Sequence, residues 1–333
     1  MTAPLLVFDC HEVWVYQLGA LGLPLEIIVG LRGRHTQNWD ENMRPVPPNA
    51  RLVKLEEALH GGRRYECIVC HNLTDLLDSK TIDAPRLLVI HETLDSAMRE
   101  QRAGVSAGDF RAAVARFVEV TGTHVVTISK LKGRSWGFED DIVPSAVDPA
   151  DYVPWKGTSP SGLRVANHIH RRPHTLLWEF HQQAFADLPM TIVGHNPDMP
   201  GVAPSANWSD LKEKFSAHRF YVHTADPALE DGYNLATLEA MAAGLPVLGN
   251  RNPTSPIEHG VSGFLSDDPE ELKQYARRLL SDRELAERMG QAARRTAVKR
   301  FSPERFATDF LHSIEFAKDK WQARRQSPSL AIS

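Results

Sequence analysis

Two carboxylates, Asp231 and Glu239, stand on either side of a predicted helix start in the segment 229–249. Asn234 between them is a residue type that caps helices, and Gly232 lets the backbone approach a ligand closely. A helix N-terminus presents N–H groups and the positive end of the helix dipole, so it favours an anion such as a phosphate. Carboxylates accept hydrogen bonds from sugar hydroxyls. The segment therefore predicts a site for a ligand that carries both phosphate and sugar.

The elements around these carboxylates follow from the spacing of apolar residues. Apolar side chains recur at helical spacing between 235 and 243, and Gly244 followed by Pro246 ends that helix. Val247 and Leu248 begin the next strand. The predicted order is an acidic turn, a short helix and a strand.

This segment resembles the donor-binding motif of the retaining GT-B glycosyltransferases, above all glycosyltransferase family 4 (glycosyl transferases group 1). That motif has an acid, seven residues and a glutamate before Ala-Met-Ala-x-Gly-x-Pro-Val, and the sequence from Asp231 to Val247 matches it. The resemblance implies that Asp231 holds the transferred sugar and that Glu239 holds the nucleotide ribose. It also implies that the intervening backbone meets the sugar and the diphosphate, through Gly232, Tyr233, Asn234 and Leu235.

One position in the motif departs from the family. The first acid is usually Glu, whereas Asp231 is one methylene shorter and has Glu230 beside it. Either acid is therefore a candidate for contact with the sugar. For the acidic turn alone, an ordinary strand-to-helix turn capped by Asp and Asn is an alternative, and the full string with its spacing favours the donor site.

A second phosphate site is predicted in the loop 167–174. An apolar strand, Leu163–Ala166, precedes this loop, and a helix over Thr175–Phe185 is expected to follow it. The loop would then lie at a strand's carboxyl end and at a helix N-terminus, where phosphates bind.

The resemblance assigns charges to this loop. In the family an Arg and, about five residues later, a Lys pair with the donor diphosphate. Here Asn167 or His168 stands at the Arg position, and Arg172 stands at the Lys position with Arg171 beside it. Because Arg can bind a diphosphate through two parallel hydrogen bonds, it is expected to replace the missing pair in part. The loop's histidines lack a carboxylate partner, so a metal site is not favoured there.

His91 is the main candidate in the first half of the chain. It follows the apolar run Leu87–Ile90 and should stand at the carboxyl end of a parallel strand, where ligands bind in open sheets. Family members have a histidine here, next to the transferred sugar. A lone histidine after a strand is also commonly a structural hydrogen-bonding group, and the sequence leaves both interpretations open.

Three further residues are candidates on the acceptor side. His11 and Glu12 stand where the family usually has a Gly-Gly pair after the first strand, so their role is open; an acid at a helix N-terminus is the simpler interpretation. Ser129 ends a predicted strand, His124–Ser129, which resembles the family strand whose final serine faces the cleft.

Composition excludes several classes of protein. The 333 residues are 42% hydrophobic, with a formal charge of −4, which indicates neither a nucleic-acid-binding domain nor a membrane protein. No signal-like or membrane-spanning run is present, so a cytoplasmic location is expected. Cys67, Cys70 and His71 spell a c-type haem pattern, but they lie in an apolar run typical of a buried strand, and core cysteines are the better interpretation.

Alternating strand-like and helix-like segments predict two α/β domains. The expected limits are 1–150 and 151–302, both Rossmann-like, with a Pro- and Gly-rich linker at 150–161. The resemblance implies that the first domain binds the acceptor and the second the donor. A last helix over 303–325 opens with Ser-Pro-Glu. The resemblance implies GT-B architecture, in which the two domains face each other across a cleft and the last helix crosses back to the first domain.

The expected activity is retaining, metal-independent transfer of a sugar from a nucleotide-diphosphate sugar to a carbohydrate, lipid-linked or other small acceptor. The resemblance implies no cofactor besides the donor substrate. It implies catalytic roles for His91, Asp231 and Arg172. The missing Arg and Gly-Gly motivate an alternative, a sugar-nucleotide-binding partner subunit with weakened catalysis, and a sugar-nucleotide epimerase or phosphorylase of the same fold is a further alternative. The donor base, the sugar, the acceptor and the oligomeric state are not indicated by the sequence.

Overall fold

The chain forms two compact units in a computed structural model that describes residues 3–34, 36–60, 62–101 and 104–326. The first unit contains the residues up to Ser145 together with those from Glu304 onward, and the second contains Ala146–Pro303. The domain limits expected from the sequence were 150/151 and 302/303.

A six-stranded parallel sheet forms the centre of the first unit, in the strand order β3-β2-β1-β4-β5-β6. This is the doubly wound order that reverses direction between β1 and β4. The strands are β1 (Leu5–Phe8), β2 (Leu25–Ile28), β3 (Ala50–Val53), β4 (Cys67–Cys70), β5 (Arg86–Ile90) and β6 (His124–Thr127). The helices are α1 (Glu12–Tyr16), α2 (Leu55–Leu59), α3 (Leu73–Asp78), α4 (Leu94–Gln101), α5 (Ala107–Thr121), α6 (Lys130–Trp136) and, from the end of the chain, α12 (Pro303–Gln326).

The central strands are buried on both faces, as parallel strands covered by helices must be. Every residue of β1, β4 and β5 is buried, and β1 pairs in register with both β2 and β4. Cys67 and Cys70 are fully buried in β4. The prediction that these two cysteines belong to the core is confirmed.

Two element limits in this unit differ from the prediction. The single helix expected over 13–21 is split into α1 and a 3-10 helix, Gln17–Leu21. Gly19 lies in the second part, where helix propensity is low and an added Cβ would come within 3.1 Å of Pro47. The strand expected to reach Ser129 ends at Thr127 because Ser129 is the N-cap of α6.

The second unit has a five-stranded parallel sheet in the order β11-β10-β9-β7-β8. Its strands are β7 (Ser159–Val165), β8 (Met190–Val193), β9 (His218–Val222), β10 (Val247–Gly249) and β11 (Gly263–Leu265). Its helices are α7 (Trp178–Phe185), α8 (Trp208–Ala217), α9 (Leu235–Ala243), α10 (Pro269–Ser281) and α11 (Arg283–Arg300). Across the described residues of both units, no helix combines the length and the apolar character needed to cross a bilayer.

The start of α7 corrects a prediction. The helix begins at Trp178 and not at Thr175, and Leu177 before it has a left-handed φ of 46°. Arg164 of β7 is almost fully buried and explains the delay. Its guanidinium donates to the Leu176 carbonyl at 2.8 Å and to the Thr224 hydroxyl at 3.0 Å, so it requires this carbonyl to stay outside the helix.

Two strands also differ from the prediction. β8 is half-buried where a buried strand was expected, because it lies at the edge of the sheet and has a neighbour on one side only. β7 begins at Ser159, within the segment expected to be a linker, since Ser159 already pairs with His218 of β9.

The C-terminal helix α12 packs within the first unit, which confirms its predicted return. Phe306 and Phe310 are buried and approach the ring of Trp14, with centroids 6.3 and 6.2 Å away. Further along the helix, Lys318 pairs with Glu66, and Arg325 reaches the Asp83 carboxylate at 2.5 Å. An apolar anchor and peripheral ion pairs therefore hold α12 to this sheet.

Replacement of the anchor should destabilise the first unit. Phe310 is fully buried, so Phe310→Ala removes a large apolar side chain and leaves a cavity; we expect a loss of about 3 to 5 kcal/mol in the free energy of unfolding. Phe316→Ala is the matched control on the same helix, since Phe316 is 52% exposed, and should cost about 0.5 kcal/mol. Urea unfolding followed by circular dichroism measures both. Equal losses would contradict the anchoring role of Phe310.

Candidate functional site

The predicted helix start in the second unit is present at the predicted residues. α9 runs over Leu235–Ala243 and ends at Gly244, whose φ of 91° is left-handed. The Asn234 side chain accepts from the Thr237 N–H at 2.9 Å, while the Asn234 N–H donates to the Thr237 hydroxyl at 3.3 Å. This reciprocal cap satisfies the third N–H of the helix. The N–H groups of Leu235 and Ala236 lack intrahelical acceptors and point out of the helix start.

Asp231 lies buried just before this helix, at 2% exposure. Its backbone N–H donates to the Glu230 carboxylate at 3.0 Å, and its carbonyl is 3.1 Å from Nε2 of His223. The two neighbouring acids therefore have different surroundings. Glu230 is partly exposed and folds back on the turn, whereas the Asp231 side chain is held inside it.

Gly232 packs closely against a neighbouring loop. An added Cβ would lie 2.8 Å from both the Asn252 Cβ and the Ser255 backbone nitrogen, and the Gly232 N–H already donates to the Thr254 hydroxyl at 2.7 Å. The close approach at this glycine is therefore to the loop after β10. The Gly232 N–H is therefore engaged by this loop, and a contact of the Gly232 backbone with a ligand stays a prediction.

Two asparagines after β10 hold the acidic turn, and the sequence analysis did not single them out. Asn250 both accepts from the Ala225 N–H at 3.0 Å and donates to the Ala225 carbonyl at 2.9 Å. Asn252 donates to the Glu230 carbonyl at 3.0 Å. Both side chains are buried. The available signal was the run Asn-Arg-Asn-Pro-Thr-Ser directly after an apolar strand.

Glu239 is buried inside α9 and has a partner that the sequence analysis missed. The Tyr152 hydroxyl donates to its Oε1 at 2.8 Å. Tyr152 packs edge-on against Trp208 and Phe215, which fixes the direction of its hydroxyl. Tyr152 lies in the segment expected to be a linker. This hydrogen bond offsets part of the free-energy cost of burying the Glu239 carboxylate.

The loop after β7 presents its predicted residues to solvent. Asn167, Arg171 and Arg172 are exposed. The Asn167 side chain accepts from the His195 N–H at 2.8 Å, and its carbonyl accepts from the Arg172 guanidinium at 3.1 Å. The buried Asn196 side chain fixes the loop: it donates to the Ala166 carbonyl and accepts from the Ile169 N–H, each at 2.8 Å.

The prediction of an α-helix N-terminus at this loop is wrong. A 3-10 helix, Ile169–Arg171, occupies the position, and α7 begins later. The positive charge of the loop therefore comes from the two guanidinium groups, of Arg171 and Arg172, and not from a helix dipole. The strands β7, β9 and β10 are neighbours in a parallel sheet, so the loops that follow them lie at the same edge. These are the loop 167–174, the acidic turn before α9 and the loop after β10 that contains Asn250 and Asn252.

In the first unit, His91 lies at the carboxyl end of β5, as predicted. Its Nε2 is 2.8 Å from Nδ1 of His71 and 4.0 Å from the Cys10 sulfur. Burial lowers the pKa of His71 to about 3, and burial, with the neighbouring His71, lowers the pKa of His91 well below its usual value. Both imidazoles are therefore neutral at pH 7, and one nitrogen donates to the other.

The other acceptor-side candidates have structural contacts. His11 is the exposed N-cap of α1, where Nδ1 accepts from the Val13 N–H at 3.3 Å, and it lies 3.9 Å from the carboxylate of buried Glu12. Ser129 is buried, and its hydroxyl accepts from the Lys132 N–H at 3.3 Å as the cap of α6. The Ser129 hydroxyl thus caps α6, and its predicted place on the acceptor side stays a prediction.

Asp9 is a buried carboxyl that the sequence analysis did not assign. Neither of its oxygens accepts a hydrogen bond from any described residue. Burial, with a smaller effect of the nearby Glu12 charge, raises the pKa of Asp9 to about 7. The signal that could have found it was its position directly after β1, the strand beside the reversal of the sheet.

Substitution of Gly232 tests the loop contact. Gly232→Ala forces a methyl group against Asn252 and Ser255, so we expect a loss of about 1 to 3 kcal/mol in unfolding free energy and weaker binding at the acidic turn. Gly108→Ala in α5 is the control, because its added Cβ meets only the Ser106 hydroxyl at 3.7 Å and helix propensity favours Ala. Thermal unfolding measures both. A Gly232→Ala protein as stable as the wild type would contradict the clash.

Comparison with known proteins agrees with this arrangement. Residues 171–312 match the family model described as glycosyl transferase-like. Spore coat protein SA of Bacillus subtilis is 43% identical over 82 residues, 23% of this chain. N-acetyl-alpha-D-glucosaminyl L-malate synthase of Bacillus anthracis is 34% identical over 85 residues, 24% of this chain. The matched segment spans 22% of the length of each of these relatives.

Similar solved structures extend over nearly the whole chain. Sucrose-phosphate synthase from Thermosynechococcus elongatus matches with a TM-score of 0.69 at 15% identity, over 95% of this chain and 100% of that one. Anabaena HepE in complex with UDP and glucose matches with a TM-score of 0.66 at 13% identity, over 94% and 99%. The predicted architecture is confirmed. The chain has the GT-B fold, and its residues 171–312 are similar to the glycosyl transferase-like family.

Proposed function

We propose that this chain is a retaining glycosyltransferase that moves a sugar from a nucleotide-diphosphate sugar to a hydroxyl of a small acceptor without a catalytic metal. The observation that carries the proposal is the pair of buried carboxylates, Asp231 and Glu239, placed before and within the capped helix α9. The match of residues 171–312 to the glycosyl transferase-like family supports the same activity.

The proposal assigns the nucleotide ribose to Glu239. Buried carboxylates need hydrogen-bond donors, and Tyr152 supplies one to Oε1 at 2.8 Å. The two hydroxyls of a ribose would supply more, and a fixed carboxylate binds them without losing much side-chain freedom. UDP is the first nucleotide to test, because Anabaena HepE, whose fold is similar, was solved with UDP and with UDP-glucose.

The proposal assigns the diphosphate to two sources of positive charge. The N–H groups at the start of α9 and the guanidinium groups of Arg171 and Arg172 lie at the same edge of the sheet. In the reaction the bond between the sugar carbon and the phosphate oxygen breaks, and charge grows on the leaving diphosphate. Donors and cations that are already in place stabilise that charge more in the transition state than in the bound donor.

The sugar and its acceptor complete the proposal. Asp231 would hold the transferred sugar, with partly exposed Glu230 as the second candidate. Neutral His91 can donate a hydrogen bond to a sugar hydroxyl or accept one from it. His11 and Glu12 would lie on the acceptor side. The acceptor proton would pass to the leaving phosphate, so the mechanism needs no separate protein base. The acceptor is a carbohydrate, a lipid-linked sugar or another small hydroxyl compound.

A panel of nucleotide sugars tests the activity. Each donor is incubated with the protein, with and without small hydroxyl acceptors, and release of the nucleotide is measured. Release that requires an acceptor, with a product of retained anomeric configuration by NMR, is the expected result. Tight nucleotide binding without release from any donor would overturn the proposal and favour a sugar-nucleotide-binding subunit.

The two carboxylates should have separable effects. Glu239→Gln removes a charged acceptor of hydrogen bonds from the ribose, so affinity for the nucleotide diphosphate and for the nucleotide sugar should both fall by about 1.5 to 3 kcal/mol. Asp231→Asn should leave nucleotide diphosphate affinity nearly unchanged while kcat falls, since the lost contact belongs to the part of the donor that reacts.

Calorimetric titration and steady-state rates measure these effects. Glu258→Gln is the control, because Glu258 is exposed and stands outside the motif. A large loss of nucleotide diphosphate affinity in Asp231→Asn would contradict the assignment. Full activity of Asp231→Asn would indicate that Glu230, and not Asp231, holds the sugar.

Transfer should persist in the presence of EDTA. Guanidinium groups and helix N–H groups supply the positive charge that a divalent cation supplies in metal-dependent transferases, so chelation should leave the rate within about twofold of the untreated protein. The rate with the best donor is measured before and after EDTA treatment. Loss of turnover that Mg²⁺ or Mn²⁺ restores would rule out the metal-independent mechanism.

A further inference from the structure

Three side chains that can bind a transition metal converge in the first unit. Cys10, His71 and His91 follow β1, β4 and β5, which are adjacent in the sheet, so their positions at the carboxyl ends of parallel strands bring them together. One donor atom from each residue lies within 4.8 Å of the others. The His91 Nε2 is 2.8 Å from His71 Nδ1 and 4.0 Å from the Cys10 sulfur.

These distances are close to those of a tetrahedral site. Zinc binds thiolate sulfur at about 2.3 Å and imidazole nitrogen at about 2.0 to 2.1 Å, so its ligand atoms lie roughly 3.3 to 3.7 Å apart. Small movements of the side chains would bring the three donor atoms into this range. The two imidazole nitrogens already share one hydrogen bond. A cation between them would use both lone pairs, with each ring carrying its proton on the other nitrogen.

The surroundings of the three side chains favour a cation. Asp9, next to Cys10, is buried, and its oxygens accept no hydrogen bond from any described residue. Trp14 packs edge-on against both imidazoles, with centroids 5.1 and 4.8 Å away, and restricts their rotation.

We propose that Cys10, His71 and His91 form a binding site for a thiophilic divalent cation, Zn²⁺, in the first unit. Binding replaces the thiol proton, so Zn²⁺ and the protein give the thiolate complex and one released proton. Three protein ligands leave a fourth position for water. Mg²⁺ and Ca²⁺ prefer oxygen ligands and do not fit this set.

Occupancy of the site has a functional consequence that rests on the proposed function. Zn²⁺ on the His91 Nε2, which faces His71 Nδ1 at 2.8 Å, would fix that imidazole and place a positive charge beside it, so the ring could no longer adjust to the sugar. Added Zn²⁺ should therefore inhibit transfer without changing nucleotide affinity, which belongs to the second unit. EDTA should reverse the inhibition.

Cobalt(II) titration of the reduced, metal-stripped protein tests the site without any nucleotide. A thiolate-to-cobalt charge-transfer band and visible bands of four-coordinate intensity are expected, with saturation at about one equivalent and loss of both on addition of Zn²⁺. This measurement is independent of sugar transfer. If no cobalt spectrum appears, the proposed transferase activity is not affected; if no transfer is detected, the proposed metal site is not affected.

Matched variants connect the spectrum to the residues. Cys10→Ser should remove the charge-transfer band and weaken Zn²⁺ binding by about tenfold or more, and His71→Asn should change the visible bands. His312→Asn, at an exposed histidine of α12, should leave the spectrum unchanged. Circular dichroism confirms that each variant is folded. A charge-transfer band that persists in Cys10→Ser, or no cobalt spectrum in the folded wild-type protein, would overturn the proposal.

Discussion

Parallel strand pairing is the constraint on which both units depend. All strands of a parallel sheet end at the same edge, so the loops that follow them gather there whatever their separation in sequence. In the first unit this brings Cys10, His71 and His91 together, and in the second it brings the loops after β7, β9 and β10 together. Residues scattered along the chain thus form local clusters because of topology.

Buried polar groups then fix the positions of the side chains within those clusters. A carboxylate or an amide removed from water needs hydrogen-bond partners, or it destabilises the fold. Asn250 and Asn252 meet this need by bonding the backbone of the acidic turn, and Tyr152 meets it for Glu239. Such fixed contacts reduce the movement that a ligand would otherwise have to restrict on binding.

The two units differ in how they treat charge. The loops of the second unit expose Arg171 and Arg172 and cap a helix start, which suits an anion. The first unit instead places two neutral imidazoles beside the Cys10 thiol and the buried Asp9 carboxyl, whose oxygens accept no hydrogen bond from any described residue. That arrangement suits hydrogen bonding to a neutral hydroxyl, or a soft cation. The two units therefore carry chemically distinct groups of side chains at their strand ends.

The sequence by itself determined the alternation of strands and helices, the limits of α9, the Asn234 cap and the motif from Asp231 to Val247. These features depend on local spacing and on residues close in sequence, which periodicity and cap chemistry describe well. The same local reasoning placed His91 at a strand end, and it correctly assigned Cys67 and Cys70 to the core.

Only the tertiary structure decided which distant residues meet. Tyr152 and Glu239 are 87 positions apart, and His71 and His91 are 20 apart, so no periodicity connects them. The buried Arg164 guanidinium, which delays the start of α7, overrode a helix that local propensity favoured. The atoms that crowd Gly232 come from the loop after β10, a contact that the local pattern did not indicate. Contacts across a sheet depend on strand order, and a linear pattern does not contain that order.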